Sequence, residues 1–176
     1  LAALRAVAHA LELPLHHVPT ECGVTLLDDG LESPGSPLRL DLATPVRTYE
    51  SLAVPLPGRH QAANAALAVR TAEIFSRSRG ISEAAVRAGL LRMRWPGRLE
   101  WARLPGGPGS PRLLYDCAHN PAGASKLAEA FRSIGPRRIV LVFAAMRDKD
   151  FGGIAAALAP CVESVVLARP DVERAA

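Results

Sequence analysis

Leu113-Leu114-Tyr115-Asp116-Cys117-Ala118-His119-Asn120-Pro121 is the stretch that decides the fold. An apolar run of strand character ends on a carboxylate, and a helix start follows at once, with Pro121 suited to the first helical position. The same alternation runs in both directions from it. Upstream the pattern predicts a strand near 98–103, a loop at 105–111 and the strand 112–117. Downstream it predicts a helix over 121–134, a strand over 138–144, a helix over 151–159 and a strand over 163–168. Such alternation is the signature of a parallel sheet flanked by helices, so the fold class is α/β. Ile139-Val140-Leu141-Val142-Phe143 is apolar on both faces, as a central parallel strand should be. The chain stops soon after one further strand, and this unit therefore reads as cut short.

In open parallel sheets ligands bind at the carboxyl ends of the strands, and helix amino termini favour anions. Asp116 and His119 would then project into one crevice, the carboxylate suited to sugar hydroxyls and the imidazole to a carboxylate or phosphate. The competing reading is that Asp116 satisfies a loop and Asn120 only caps the helix.

Further outward, Trp95-Pro96-Gly97-Arg98-Leu99-Glu100 is a stiff turn, and a domain boundary is placed near it, with one unit over 1–94 and a second over 95–176. Arg98 there either aims a guanidinium at phosphate oxygens or is a solvated linker charge. Before the turn lies a helical block, an Ala-rich run from Gln61 to Phe75 and a second helix that Ser82 can N-cap. Residues 15–54 hold four short β-like runs: Leu15–Val18, Val24–Leu27, Leu38–Leu42 and Val46–Val54, with Asp28-Asp29-Gly30 as a tight turn. Residues 1–13 carry Leu4, Val7, Ala8 and Leu11 at helical spacing, closed by Pro14. These runs resemble the last part of a larger α/β domain, and Leu1, which falls directly into a helical pattern, reads as the start of a fragment.

Leu56-Pro57-Gly58-Arg59-His60-Gln61-Ala62-Ala63-Asn64-Ala65-Ala66 opens the Ala-rich helix. Small neighbours allow a flat ring to approach Asn64, whose amide both donates to and accepts from a purine edge. Alternatively, His60 and Gln61 cap the helix and Asn64 pairs with a nearby loop. Arg147-Asp148-Lys149-Asp150 follows the apolar strand, either as ligand contacts or as a solvated loop.

The 176 residues are 49% apolar and 22% charged, the balance of a packed globular chain. The net charge of +4 is spread over scattered arginines and only two lysines, Lys126 and Lys149, without a basic block interleaved with aromatics, so no nucleic-acid surface is expected. The longest apolar run, Ile139–Met146, falls far short of the roughly 18 residues that span a bilayer, and no membrane partner is expected. Cys22, Cys117 and Cys161 have no metal-ligand spacing; His9 lies on a helix, and the adjacent His16 and His17 alternate faces on a strand with no third ligand spaced to join them, so no metal site is expected within the chain. A reducing, cytoplasmic setting suits the three thiols.

Four blocks in this order resemble the folylpolyglutamate synthase/dihydrofolate synthase branch of the Mur ligase superfamily: Leu56-Pro57-Gly58-Arg59-His60-Gln61 with Asn64-Ala65-Ala66, Trp95-Pro96-Gly97-Arg98, Asp116-Cys117-Ala118-His119-Asn120-Pro121, and Asp148-Lys149-Asp150. The likeness runs over about residues 1–170. It implies the tail of a P-loop-type Mur ligase central domain followed by a Rossmann-like Mur ligase C-terminal domain, with ATP between them. By similarity Asn64 contacts adenine, Arg98 the phosphates and Asp116 the ribose, while His119, near the phosphates and incoming glutamate, is the catalytic candidate. The implied reaction converts a folate or dihydropteroate carboxylate to an acyl phosphate, which the amino group of L-glutamate attacks. ATP and Mg²⁺ are the implied cofactors, the metal ligands being expected upstream, and a monomer is expected at full length.

Two departures stand out. The Gly-Lys-Ser or Gly-Lys-Thr of a phosphate-binding loop occurs nowhere in the 176 residues, so this chain alone is expected to be inactive. Phe143-Ala144-Ala145 stands where the family usually has a Gly after the strand. A Mur-type cell-wall amino-acid ligase and a non-catalytic nucleotide-binding remnant are the alternatives.

Overall fold

Alternating apolar residues between 23 and 54 build one antiparallel meander. In the computed structural model, which describes residues 1–76, 79–106, 110–135 and 137–169, β1 (Gly23–Asp28), β2 (Leu38–Ala43) and β3 (Thr48–Val54) lie side by side in that order. Leu40 sits opposite Leu26 on one side and Leu52 on the other. The two-residue period sends Leu38, Leu40 and Leu42 to a single buried face. That face is covered by α3 (His60–Phe75) and α4 (Glu83–Leu91), which contribute Ala62, Ala65, Ala66, Val69, Val86 and Leu90. Ser82 caps α4 as its sequence implied, its hydroxyl accepting from the Ala85 N–H at 3.2 Å.

The buried side of α3 is not wholly apolar. Arg70 and Glu73 lie in it, and Glu73 Oε1 accepts from Thr44 Oγ1 (2.8 Å) and from the Tyr49 hydroxyl (2.9 Å). Burial, then the hydrogen bond to Glu73 and its charge, push the Tyr49 phenol from 10.0 up to about 12. A raised folded-state value means that this group's contribution is complete below about 10 and is lost as pH rises through about 12. Alkaline titration followed by phenolate absorbance is therefore expected to show Tyr49 ionising late and together with loss of helical circular dichroism. A Tyr49 signal that titrates near 10 with the helices intact would contradict the burial.

The amino-terminal expectations hold in part. α1 (Ala2–Ala10) is the expected helix, although Leu4, Val7 and Leu11 of its apolar stripe are exposed. Leu15–Val18 is not a strand. Val18–Glu21 is the short helix α2, with Pro19 in its first turn and Glu21 Oε1 accepting from the His17 N–H at 3.1 Å. His16 and His17 accordingly do not alternate on a strand; the His16 ring pairs with Glu21 at 3.0 Å.

In the second half every expected element is present: β4 (Glu100–Arg103), β5 (Arg112–Tyr115), α5 (Pro121–Ile134), β6 (Val140–Phe143), α6 (Phe151–Leu158) with a 3-10 turn at Ala159–Cys161, and β7 (Ser164–Leu167). Of the loop expected at 105–111, residues 107–109 lie outside the described residues, as does the end of the unit after 169. The pairing corrects the expectation of one parallel sheet. β4 and β5 form an antiparallel pair, and among the described residues only β6 and β7 run parallel. β6 is not a strand buried on both faces either, since Val140 and Val142 are exposed while Leu141 and Phe143 pack inward.

α5 and α6 hold the second core, Ala124, Leu127, Ala128, Phe131, Ile154 and Leu158. Leu31, from the loop after β1, and Leu99, from the turn before β4, belong to this core too. The two halves are thereby joined through side chains as well as through the linker. Among the described residues no helix is long and apolar enough to cross a membrane, and all three cysteines are free thiols.

Candidate functional site

The site begins where β3 hands the chain to α3. Pro55-Leu56-Pro57 stiffens the approach, and Gly58 turns it at φ +101°. A Cβ there would lie 2.7 Å from Leu99 Cδ1 and 3.0 Å from His60 Cε1, so glycine lets this turn close on the segment that carries Leu99. Gly58→Ala is expected to cost roughly 1–3 kcal/mol through strain and overpacking. Urea denaturation checks this, and an unchanged midpoint would show that the junction is slack.

Gln61 is buried at the first turn of α3, and its side-chain oxygen accepts from Asn64 Nδ2 at 2.8 Å. That bond orients the exposed carboxamide of Asn64, between the small side chains Ala65 and Ala68. Asn64 lines a cavity of about 300 Å³ with Leu56, His60, Gln61, Ala65, Ala68, Met93, Trp95 and Arg98. Two residues picked out from separate motifs, Asn64 and Arg98, thus share one cavity. Its lining combines an amide, an imidazole, a guanidinium and the apolar surfaces of Trp95 and Met93, the mixture of flat apolar wall and few polar groups that ligand sites use.

Asp116 follows β5 directly and is not among the residues that line this cavity, but it is bonded to the linker residue after Arg98. Its Oδ2 accepts from the Leu99 N–H at 3.1 Å and its Oδ1 from the Ala118 N–H at 2.8 Å. It also acts electrostatically on His60. Burial lowers the His60 imidazole from its ordinary value, Asp116 opposes that change, and Lys126 and Arg98 add to it. His119 is placed differently. Its ring Nδ1 is 3.0 Å from the Cys117 carbonyl, the residue is exposed, and it is not among those lining the Asn64–Arg98 cavity.

The remaining candidates take the structural reading. Asn120 caps α5, accepting from the Gly123 N–H at 2.8 Å. Asp150 caps α6 through the Gly153 N–H at 2.9 Å, and Lys149 pairs with Asp148 at 2.8 Å. Among the described residues no three His, Cys, Asp or Glu side chains gather as metal ligands do. The sequence reading passed over His60, taken for a cap, and Trp95 and Met93. The signal for His60 was the preceding Gly58, because a glycine held at positive φ lets the next turn of chain fold its side chain back over the backbone.

Residues 97–176 match the family described as Mur ligase, glutamate ligase domain. The dihydrofolate synthase/folylpolyglutamate synthase of Mycobacterium tuberculosis is 41% identical over 131 residues, covering 72% of this chain and 26% of that protein. The corresponding Bacillus subtilis protein is 35% identical over 135 residues, 75% of this chain and 30% of its own length. The chain therefore spans less than a third of these curated relatives. Among solved structures, Mycobacterium tuberculosis folylpolyglutamate synthase complexed with ADP superposes with a TM-score of 0.86 at 34% identity, over 98% of this chain and 37% of that one.

Proposed function

Because the chain belongs to the folylpolyglutamate synthase/dihydrofolate synthase family of Mur ligases, we propose that it carries the nucleotide-facing half of an ATP-dependent ligase that joins L-glutamate to a folate or dihydropteroate carboxylate. The observation that carries this reading is the cavity shared by Asn64 and Arg98, with Asp116 bonded to the backbone of Leu99 beside it. A relative of the same fold holds ADP, and the cavity's chemistry suits a nucleotide. Asn64 meets the edge of the adenine ring, Arg98 meets phosphate oxygens with two parallel N–H donors, and Asp116 accepts from ribose hydroxyls. His119 is assigned to the outer end, near the transferred phosphoryl group and the amine of the incoming glutamate.

Residues 1–94 then belong to the carboxy-terminal portion of the central ATPase domain and 95–176 to the C-terminal domain. This division agrees with two separate cores. The chemistry explains why two domains are useful. A carboxylate phosphorylated by ATP is an acyl phosphate, which water destroys, so a cleft that closes protects it and aligns the amine for attack. The chain's own contribution is to hold and orient the nucleotide. A monomer is the proposed state of the full-length protein.

Ligation of radiolabelled L-glutamate by the full-length protein, with ATP and either folate or dihydropteroate as acceptor, tests the proposal. ATP-dependent label transfer to one acceptor supports it. Transfer to neither, in a protein that binds ATP, would remove the folate assignment.

A further inference from the structure

The backbone on both sides of Arg98 is stitched to the end of β5. Gly97 accepts from the Cys117 N–H through its carbonyl at 2.9 Å, and its own N–H donates to Glu100 Oε2 at 2.9 Å. It lies so close to Cys117 that a Cβ would come within 2.5 Å of the thiol sulfur. On the other side, Leu99 adopts φ +48°, a left-handed conformation that a Cβ disfavours, and its side chain is 1% exposed. Two things hold it there. Its side chain packs against Gly58 and into the second core, and its N–H is taken by Asp116 Oδ2. Asp116 thus spends one oxygen on the linker and the other on Ala118 of its own loop.

Resting on the nucleotide reading above, we infer that Asp116 is a positioning residue for Arg98: it clamps the Leu99 N–H, fixes the left-handed turn, and so holds the Arg98 guanidinium in the Asn64 cavity. Arg98 is flanked by one residue pinned through its carbonyl and one pinned through its N–H, which leaves its side chain few directions. A carboxylate suits the clamp because it accepts from two N–H groups at once, while an asparagine would turn its NH₂ toward one of them, donor against donor. Releasing Leu99 frees the turn to leave its disfavoured conformation, and Arg98 moves with it.

Two measurements on the full-length protein test the inference. In the absence of nucleotide, amide hydrogen exchange at Leu99 is expected to be slow in the parent and fast in Asp116→Ala. ADP binding is then measured by calorimetry in a cycle of Asp116→Ala, Arg98→Ala and the double variant. Each single variant is expected to lose roughly ten- to a hundredfold in affinity. The double variant is expected to lose clearly less than the product of the two single losses, because the clamp has nothing to position once the guanidinium is gone, while the ribose contact proposed above is lost in either background. Losses that multiply in full would show that Asp116 acts with no coupling to Arg98 and would overturn the positioning role, as would unchanged exchange at Leu99. A parent that binds no ADP would overturn the nucleotide reading itself. Should Asp116→Ala fail to fold, Asp116→Asn takes its place in the same cycle.

Discussion

Arg98→Ala in the full-length protein is expected to lower kcat/KM for glutamate ligation by about a hundredfold or more, the usual cost of removing one preorganised group that meets charge on a transferring phosphoryl group. The expectation comes from placement. Arg98 is half-buried at the one turn that joins the two cores, it lines the cavity that contains Asn64, and its flanking backbone is fixed to β5. Arg98→Lys is expected to recover only a small part of the loss, because an ammonium offers a point charge where a guanidinium offers a planar fork. Steady-state kinetics at saturating folate and glutamate with ATP varied reads the effect. Rates equal to the parent's in both variants would remove Arg98 from the site.

The largest expected effect on stability lies far from that cavity, at Glu73. Its carboxylate is 1% exposed, accepts from the hydroxyls of Thr44 and Tyr49, and faces Arg70, itself only 9% exposed. At 3.5 Å the Arg70–Glu73 contact is an ion pair without hydrogen-bond geometry, whereas Arg70 is bonded to Glu21 at 2.7 Å. Glu73→Ala strands the buried Tyr49 hydroxyl and leaves the buried guanidinium with Glu21 as its anionic partner, while the Thr44 hydroxyl still reaches the Arg47 carbonyl. Removing one member of such a buried pair costs roughly 3–5 kcal/mol. Glu73→Gln keeps the accepting oxygen and is expected to lose less. Urea unfolding decides it, and a loss below about 1 kcal/mol for the alanine variant would show that the network is solvated rather than buried.

The sequence was most legible where local chemistry settles a boundary. Pro121 with Asn120 before it marks the start of α5, and the expected helix 121–134 is the observed one. Ser82 marks α4 in the same way. Leu15–Val18 misled because Leu and Val suit a strand, while Pro19 in a first turn and Glu21 reaching back to the His17 N–H turned the segment helical. Strand pairing was not legible. Alternation says that β4 and β5 exist but not that their register runs antiparallel from Glu100 opposite Tyr115 to Arg103 opposite Arg112, which only long-range packing fixes.

The candidate site divides in the same manner. Asn64 and Arg98 were readable because each stands after a Gly turn in a short polar motif, and they come to one cavity. Asp116 was readable as a strand-end carboxylate, but its bond to Leu99 joins positions seventeen apart in sequence and depends on a left-handed turn that no side-chain pattern announces. His60 looked like a cap, yet the helix uses no side-chain cap at that end and the imidazole lines the cavity. His119, read as projecting toward one crevice with Asp116, is exposed, with its ring Nδ1 3.0 Å from the Cys117 carbonyl.

The structure of the full-length protein with ADP bound tests the central idea most directly. Adenine against the carboxamide of Asn64, with phosphate oxygens on the guanidinium of Arg98, is the predicted result. A nucleotide that touches neither side chain contradicts it.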